Sequence, residues 1–177
     1  MRTFSALIVG LLITVLISYA KAQNVQLPQD ETGRVIYEAV VHREGISADS
    51  LQKLAIKWIH TFYKNPPGVI KENKPGYIKV EHKFEIYDVD KKTGKKYKAG
   101  RVKYTLIIKF KDGRYKYELT DFKYIANRYV PIEEWLDSKD PKHQEYLKQV
   151  NEYATNLITK LREFIKSPPV QQEEEDW

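Results

Sequence analysis

The sequence predicts an α+β domain in which an antiparallel sheet carries both of its helices on one face. Three observations lead there. The strand-like segments alternate apolar and charged residues, two long segments carry apolar residues at helical spacing, and the order is strand, helix, four strands, long helix. One-sided alternation leaves one sheet face in water, so the helices must share the other.

The elements follow in order. Residues 24–33 form an extended lead-in closed by a turn, and Arg34 to Arg43 is rich in β-formers, reading as the first strand. Gly45 breaks it. Ser47 then stands where an N-cap belongs, with Asp49 in the first turn to complement the helix dipole. Leu51, Leu54, Ala55, Trp58, Ile59, Phe62 and Tyr63 fall at i, i+3, i+4, i+7, i+8, i+11 and i+12, which places one buried stripe on a helix. Asn65-Pro66-Pro67-Gly68 ends it, Val69 to Asn73 is a short strand, and Lys74-Pro75-Gly76 turns the chain.

In Tyr77 to Tyr87, Ile78, Val80, Phe84 and Ile86 face one way while Lys79, Glu81, Lys83 and Glu85 face the other. Asp88 to Gly100 reads as a lysine-rich loop. Arg101 to Lys111 is the next strand, and Asp112-Gly113 a two-residue hairpin turn. That turn pairs Lys111 with Arg114, Phe110 with Tyr115, Ile108 with Tyr117 and Leu106 with Leu119, so apolar residues meet apolar partners. Continued alternation would put Asp121 on the inner face and Phe122 and Tyr124 outside, so a bulge near Thr120-Asp121 is expected to swap the faces. Pro131 to Leu136 reads as a short helical turn. Asp140-Pro141 caps a final helix of about 25 residues, roughly 38 Å long and able to cross a whole sheet. This β-α-β-β-β-β-α order matches the TATA-binding-protein-like topology, which helix-grip lipid-binding domains share in outline.

A set of short motifs points the same way. Leu27-Pro28, Asp30-Glu31-x-Gly33-x-x-x-Tyr37, Val40-Val41, Gly45-x-Ser47, Ala55-x-x-Trp58, Tyr104-Thr105-Leu106, Asp112-Gly113-Arg114-Tyr115 and Thr120-Asp121-Phe122 together resemble a family of exported bacterial domains. Its members occur mainly in Bacteroidetes-type organisms and are described as a domain of unknown function with a TATA-binding-protein-like fold. The resemblance spans roughly Leu27 to Ile125. It implies a fold and a compartment, and brings no catalytic or binding residues with it.

Compartment is also written at the N-terminus. Met1-Arg2 is positive, Phe4 to Tyr19 is almost wholly apolar, and Ala20-Lys21-Ala22 offers small residues where signal peptidase requires them. The alternative is a retained anchor, against which stands an apolar run shorter than the ~20 residues that span a bilayer. Residues 1–22 therefore read as a signal peptide, 23–167 as a single domain, and 168–177 as a disordered acidic tail (Glu173-Glu174-Glu175-Asp176). The expected location is periplasmic or secreted, with no stable membrane span once the signal is cleaved. The absence of cysteine removes disulfide staples, thiolate metal sites and a lipid-anchored N-terminus. Without Arg2 and Lys21 the formal charge falls from +6 to +4, which is ordinary solubility and not the footprint of a nucleic-acid binder.

Catalytic patterns are scarce. His60 and His143 lack a second ligand at i+3 or i+4, and the sequence has no G-x-S-x-G elbow and no phosphate-cradling loop. Glu133-Glu134 suits the first turn of a short helix, and Asp121 suits a structural role in closing the bulge. No catalytic residue, metal or cofactor is assigned, and nothing argues for an enzyme.

Two binding readings remain. The open face carries Lys79, Lys83, Arg101, Lys103, Lys109, Lys111, Arg114 and Lys116 against Glu81, Glu85 and Glu118. Lys79, Lys83, Arg101, Lys103, Lys109 and Lys116 are the candidates for docking an envelope protein or an anionic glycan. The bland alternative is a solvated face whose lysines guard against edge-to-edge aggregation. The second reading is a carrier of a small hydrophobic ligand between the long helix and the sheet, lined by His82, Tyr104, Tyr115, Tyr117 and Tyr153. His82 draws attention because it occupies an inward position between Val80 and Phe84; a core histidine bonded to the backbone is the plainer account. Ordinary amphipathic packing is the plainer account of the tyrosines.

Overall fold

The computed structural model describes residues 25–167, so the signal-peptide and acidic-tail readings fall outside the described residues. Strand β1 (Tyr37–His42) is followed by helix α1 (Ala48–Phe62) and a four-residue helical turn, α2 (Pro66–Val69). Then come β2 (Ile70–Lys74), β3 (Tyr77–Val89), β4 (Lys96–Lys111), β5 (Arg114–Ile125) and β6 (Tyr129–Pro131). A single 3-10 turn (Ile132–Trp135) leads into α3 (Pro141–Lys166). All pairings are antiparallel, in the order β1-β5-β4-β3-β2, with β6 also on β5.

The sheet's inner rows are made by residues such as Ile78, Val80, Tyr104, Leu106, Ile108, Tyr117 and Leu119. They join one core with Leu51, Ala55, Trp58 and Ile59 of α1 and with Leu147, Val150, Ala154, Leu157 and Leu161 of α3. The helices touch each other as well: the Lys160 ammonium lies 5.9 Å from the Phe62 ring centre. Both helices therefore cover the same face. Their ends are fixed as the residues require. The Ser47 hydroxyl accepts from Ser50 N at 3.2 Å, and the Asp140 carboxylate from Lys142 N at 2.9 Å. The hairpin turn helps to dock α1, because Asp112 Oδ1 accepts from Ala48 N at 2.8 Å.

The β4–β5 register is the one the two-residue turn dictates, from Lys111 opposite Arg114 to Leu106 opposite Leu119. The expected bulge is present. Lys103 pairs with Lys123 and Thr105 with Thr120, so β5 holds one extra residue between them. Asp121 adopts φ 55°, is exposed, and makes no side-chain hydrogen bond among the described residues. It closes the bulge through its backbone, in a left-handed conformation Asp tolerates better than most residues, and not through its carboxylate. Phe122 beyond it is fully buried.

Other boundaries need correcting. The segment 88–100 is not one loop: β3 runs to Val89, β4 starts at Lys96, and only Asp90 to Lys95 turns, with Asp90 Oδ1 accepting from Lys92 N and Thr93 N at 2.8 Å. Tyr146 and Lys142 of α3 still hold Asp88, at 2.7 and 3.1 Å, but residues 89–98 beyond it are exposed, so apolar alternation is not required of them. Pro66–Val69 is helical, not merely a stop, and β6 is a strand that its three residues give no periodicity to announce. The first strand is shorter than Arg34 to Arg43, since Val35 bridges Gln29 instead.

Candidate binding face

The open face is built from rows of side chains that cross the strands. One row runs Lys74, Tyr77, Lys109, Lys116, Val40, and the next Glu72, Lys79, Ile107, Glu118, Glu38. These two rows neutralise each other. Lys109 and Lys116 reach Glu118 Oε1 at 3.0 and 3.1 Å, and Lys116 also reaches Glu38 at 2.7 Å. Burial pushes the Glu118 carboxyl up, but the two ammonium groups prevail and leave it below its ordinary value. Glu81 serves two more cations, Lys103 at 2.8 Å and Lys79 at 3.5 Å, and the Lys103 hydrogen bond chiefly holds its carboxyl low. Of the six candidate cations, then, Lys79, Lys103, Lys109 and Lys116 have carboxylate partners, while Lys83 and Arg101 have no ion pair among the described residues.

The charge that remains is concentrated. Lys83 of β3, Lys103 of β4 and Lys123 of β5 stand directly opposite one another, forming a single row of three lysines. At the interstrand spacing of about 4.8 Å this row is roughly 10 Å across. Among the described residues only Lys103 of the three has a carboxylate partner, and like charges facing each other across strands cost stability, about 0.2–1 kcal/mol per pair. The neighbouring row holds Glu85, Arg101, Ile125 and Tyr129, with Glu85 paired to Lys98. Tyr129 is 62% exposed. A depression of about 290 Å³ joins the two rows to the start of β2, lined by Lys71, Glu81, Lys83, Lys103, Ile125 and Tyr129. Lys123 faces outward because of the Asp121 bulge. The parity conflict at Asp121 implied this, whereas Lys71 and Tyr129 carried no signal in the sequence.

The residues of the ligand-cavity reading are brought together only in part. The Tyr104 hydroxyl lies 3.0 Å from those of both Tyr63 and Tyr153, and Tyr153 stacks on Phe84 at 3.8 Å. His82 sits beside them, its ring edge-on to Tyr63 at 5.1 Å and Tyr104 at 6.2 Å. It makes no hydrogen bond among the described residues, to tyrosine or to backbone. Burial first, and Lys83 second, hold its imidazole below the ordinary value. Rings fill this seam. Tyr115 and Tyr117 lie further along β5, away from the hydroxyl chain and near Arg162 of α3. His143 stacks on Trp135 at 5.1 Å and meets Ser138 Oγ at 2.7 Å. Glu133 does more than answer a helix dipole: it accepts from Val35 N at 2.9 Å, tying the lead-in to the sheet's end. Among the described residues no helix is long and apolar enough to cross a membrane.

An antiparallel sheet with one face under two helices and the other open defines a TBP-like α+β domain. Residues 37–125, from the first residue of β1 to the last of β5, match the family model described as a domain of unknown function (DUF4468) with TBP-like fold, and the chain belongs to that family. It is similar to the crystal structure of a TBP-like protein from Parabacteroides distasonis, with a TM-score of 0.64 and 20% identity over 79% of this chain and 97% of that one. It is likewise similar to a DUF4468 family protein from Bacteroides ovatus, with a TM-score of 0.66 and 14% identity over 80% and 91% of the two chains. At such identities the likeness speaks for the fold alone. Comparison with curated proteins gives no match.

Proposed function

We propose that this is an exported, non-catalytic binding domain that holds an acidic polysaccharide on its open sheet face. The observation that carries the reading is the row Lys83, Lys103, Lys123, three facing lysines with one carboxylate between them. A solvated face needs no such row; the other facing pair, Lys109 and Lys116, has both Glu118 and Glu38 to offset it. Ammonium groups are strongly hydrated point charges that suit dispersed anionic groups along a flexible polymer, with no fixed fork geometry to satisfy. The exposed ring of Tyr129 beside the row offers a flat apolar surface for a sugar face. Export rests on the charge, apolar run and A-x-A order of residues 1–22, and would bring the face into contact with envelope glycans.

Calorimetric titration with a short oligogalacturonate tests this. Binding is expected to weaken as salt is raised, because exposed charges are screened beyond about 10 Å at 0.1 M. The double variant Lys83→Glu/Lys123→Glu is expected to lose it, while Lys109→Glu/Lys116→Glu keeps most of it. Binding that survives the first double variant, or a wild type that captures only a protein partner, contradicts the glycan reading.

A further inference from the structure

A second basic site lies on the opposite side of the molecule, where the end of β1 meets the last turns of α3. A pocket of about 350 Å³ opens there, and Arg43, Thr159, Arg162, Glu163 and Lys166 contribute to its wall. Part of this basicity has a structural cause. Arg43 Nη2 donates to the Lys166 carbonyl at 3.0 Å, and cations at a helix C-terminus complement its dipole. Two donors are left over. Arg43 Nε and the Tyr115 hydroxyl are both buried and have no hydrogen-bond partner among the described residues, and Tyr115 is only 1% exposed. An unsatisfied buried donor destabilises the fold. Here the two lie on paired strands, since Arg43 follows the end of β1 where Val41 stands opposite Tyr115. Burial pushes the Tyr115 phenol up to about 12 against the opposing pull of Arg162 and Arg43, so the hydroxyl keeps its proton and lies within the field of both guanidinium groups. None of Arg43, Arg162, Lys166 or Glu163 has an ion pair among the described residues.

We propose that this seam binds a small oxyanion, a carboxylate or a phosphate, held between the Arg43 and Arg162 guanidinium groups and completed by the Tyr115 hydroxyl. Planar guanidinium forks match the paired oxygens of both anion classes, and charge-assisted bonds are about twice as strong as neutral ones. The oxyanion supplies the acceptors that the two orphaned donors lack. Glu163 at the wall is the one opposing charge and limits affinity.

Thermal unfolding of the full chain in inorganic phosphate, and separately in acetate, at ionic strength held constant with sodium chloride, tests the site. Saturable stabilisation by either anion is expected, and which of them acts tells the anion class. Arg162→Gln is expected to weaken it at least about tenfold. Tyr115→Phe is expected to weaken it too, while leaving the anion-free protein as stable as wild type or more so, because it removes an unsatisfied polar group. Lys83→Glu/Lys123→Glu should leave it unchanged. No saturable effect of either anion overturns the proposal, as does stabilisation indifferent to both Arg162→Gln and Tyr115→Phe. Arg162 is exposed, so its replacement tests the site without removing any of the core.

Discussion

At Gly100 the missing side chain is what lets the Tyr124 ring settle against strand β4. A Cβ there would lie 2.3 Å from Tyr124 Cε2. The ring has little room to yield, since its hydroxyl donates to the Ala99 carbonyl at 2.8 Å and its centre lies 5.2 Å from that of the tilted Trp135 ring. Gly100→Ala is therefore expected to cost about 1–3 kcal/mol in urea unfolding, and a change under about 0.5 would contradict this account of the glycine. Between Ala99 and Arg101 at the end of a lysine-rich stretch, Gly100 reads locally as loop punctuation. Its reason is a ring 24 positions later, which no local pattern reveals. Asp121 is the opposite case, because an acid at an inward position and Phe122 at an outward one conflict within the sequence itself. A bulge is the one local change that resolves both.

Among the elements, α1 and α3 were legible because their apolar stripes repeat over four or more turns, and each buries the stripe that its sequence marks. The far end of the β3–β4 ribbon and β6 were not, since strands outside the core owe nothing to apolar alternation. Where helix meets sheet, the Tyr63–Tyr104–Tyr153 hydroxyl chain is the main polar feature, and the one-face packing of α1 and α3 brings it together. Burial is the leading cause that raises all three phenols above their ordinary value of 10. A raised phenol stabilises the fold fully below pH 10, and that contribution is lost as pH climbs toward its folded value. Each costs up to ~1.4 kcal/mol per pH unit in that window. The melting temperature is expected to be flat from pH 7 to 9 and to fall steeply above 10, less steeply in Tyr104→Phe. A Tyr104→Phe variant with an undiminished alkaline fall would show that the chain does not govern it.

Across the whole molecule, the separation into a covered face and a wet basic one followed from alternation alone. The distribution of charge on the wet face did not. Its ion pairs depend on which carboxylate lies one row away on a neighbouring strand, so Lys109 and Lys116 look equivalent to Lys83 in the sequence yet are neutralised in the fold. What survives is a compact cationic patch on β3, β4 and β5, entirely within residues 37–125 that define the family. Amide chemical-shift mapping during titration with the oligogalacturonate addresses that patch most directly. The largest changes should fall on Lys83, Lys103, Lys123, Arg101 and Tyr129 and diminish as salt is added. Changes gathered at the Lys111–Arg114 end of the sheet or on α3, or no changes at all, would contradict it.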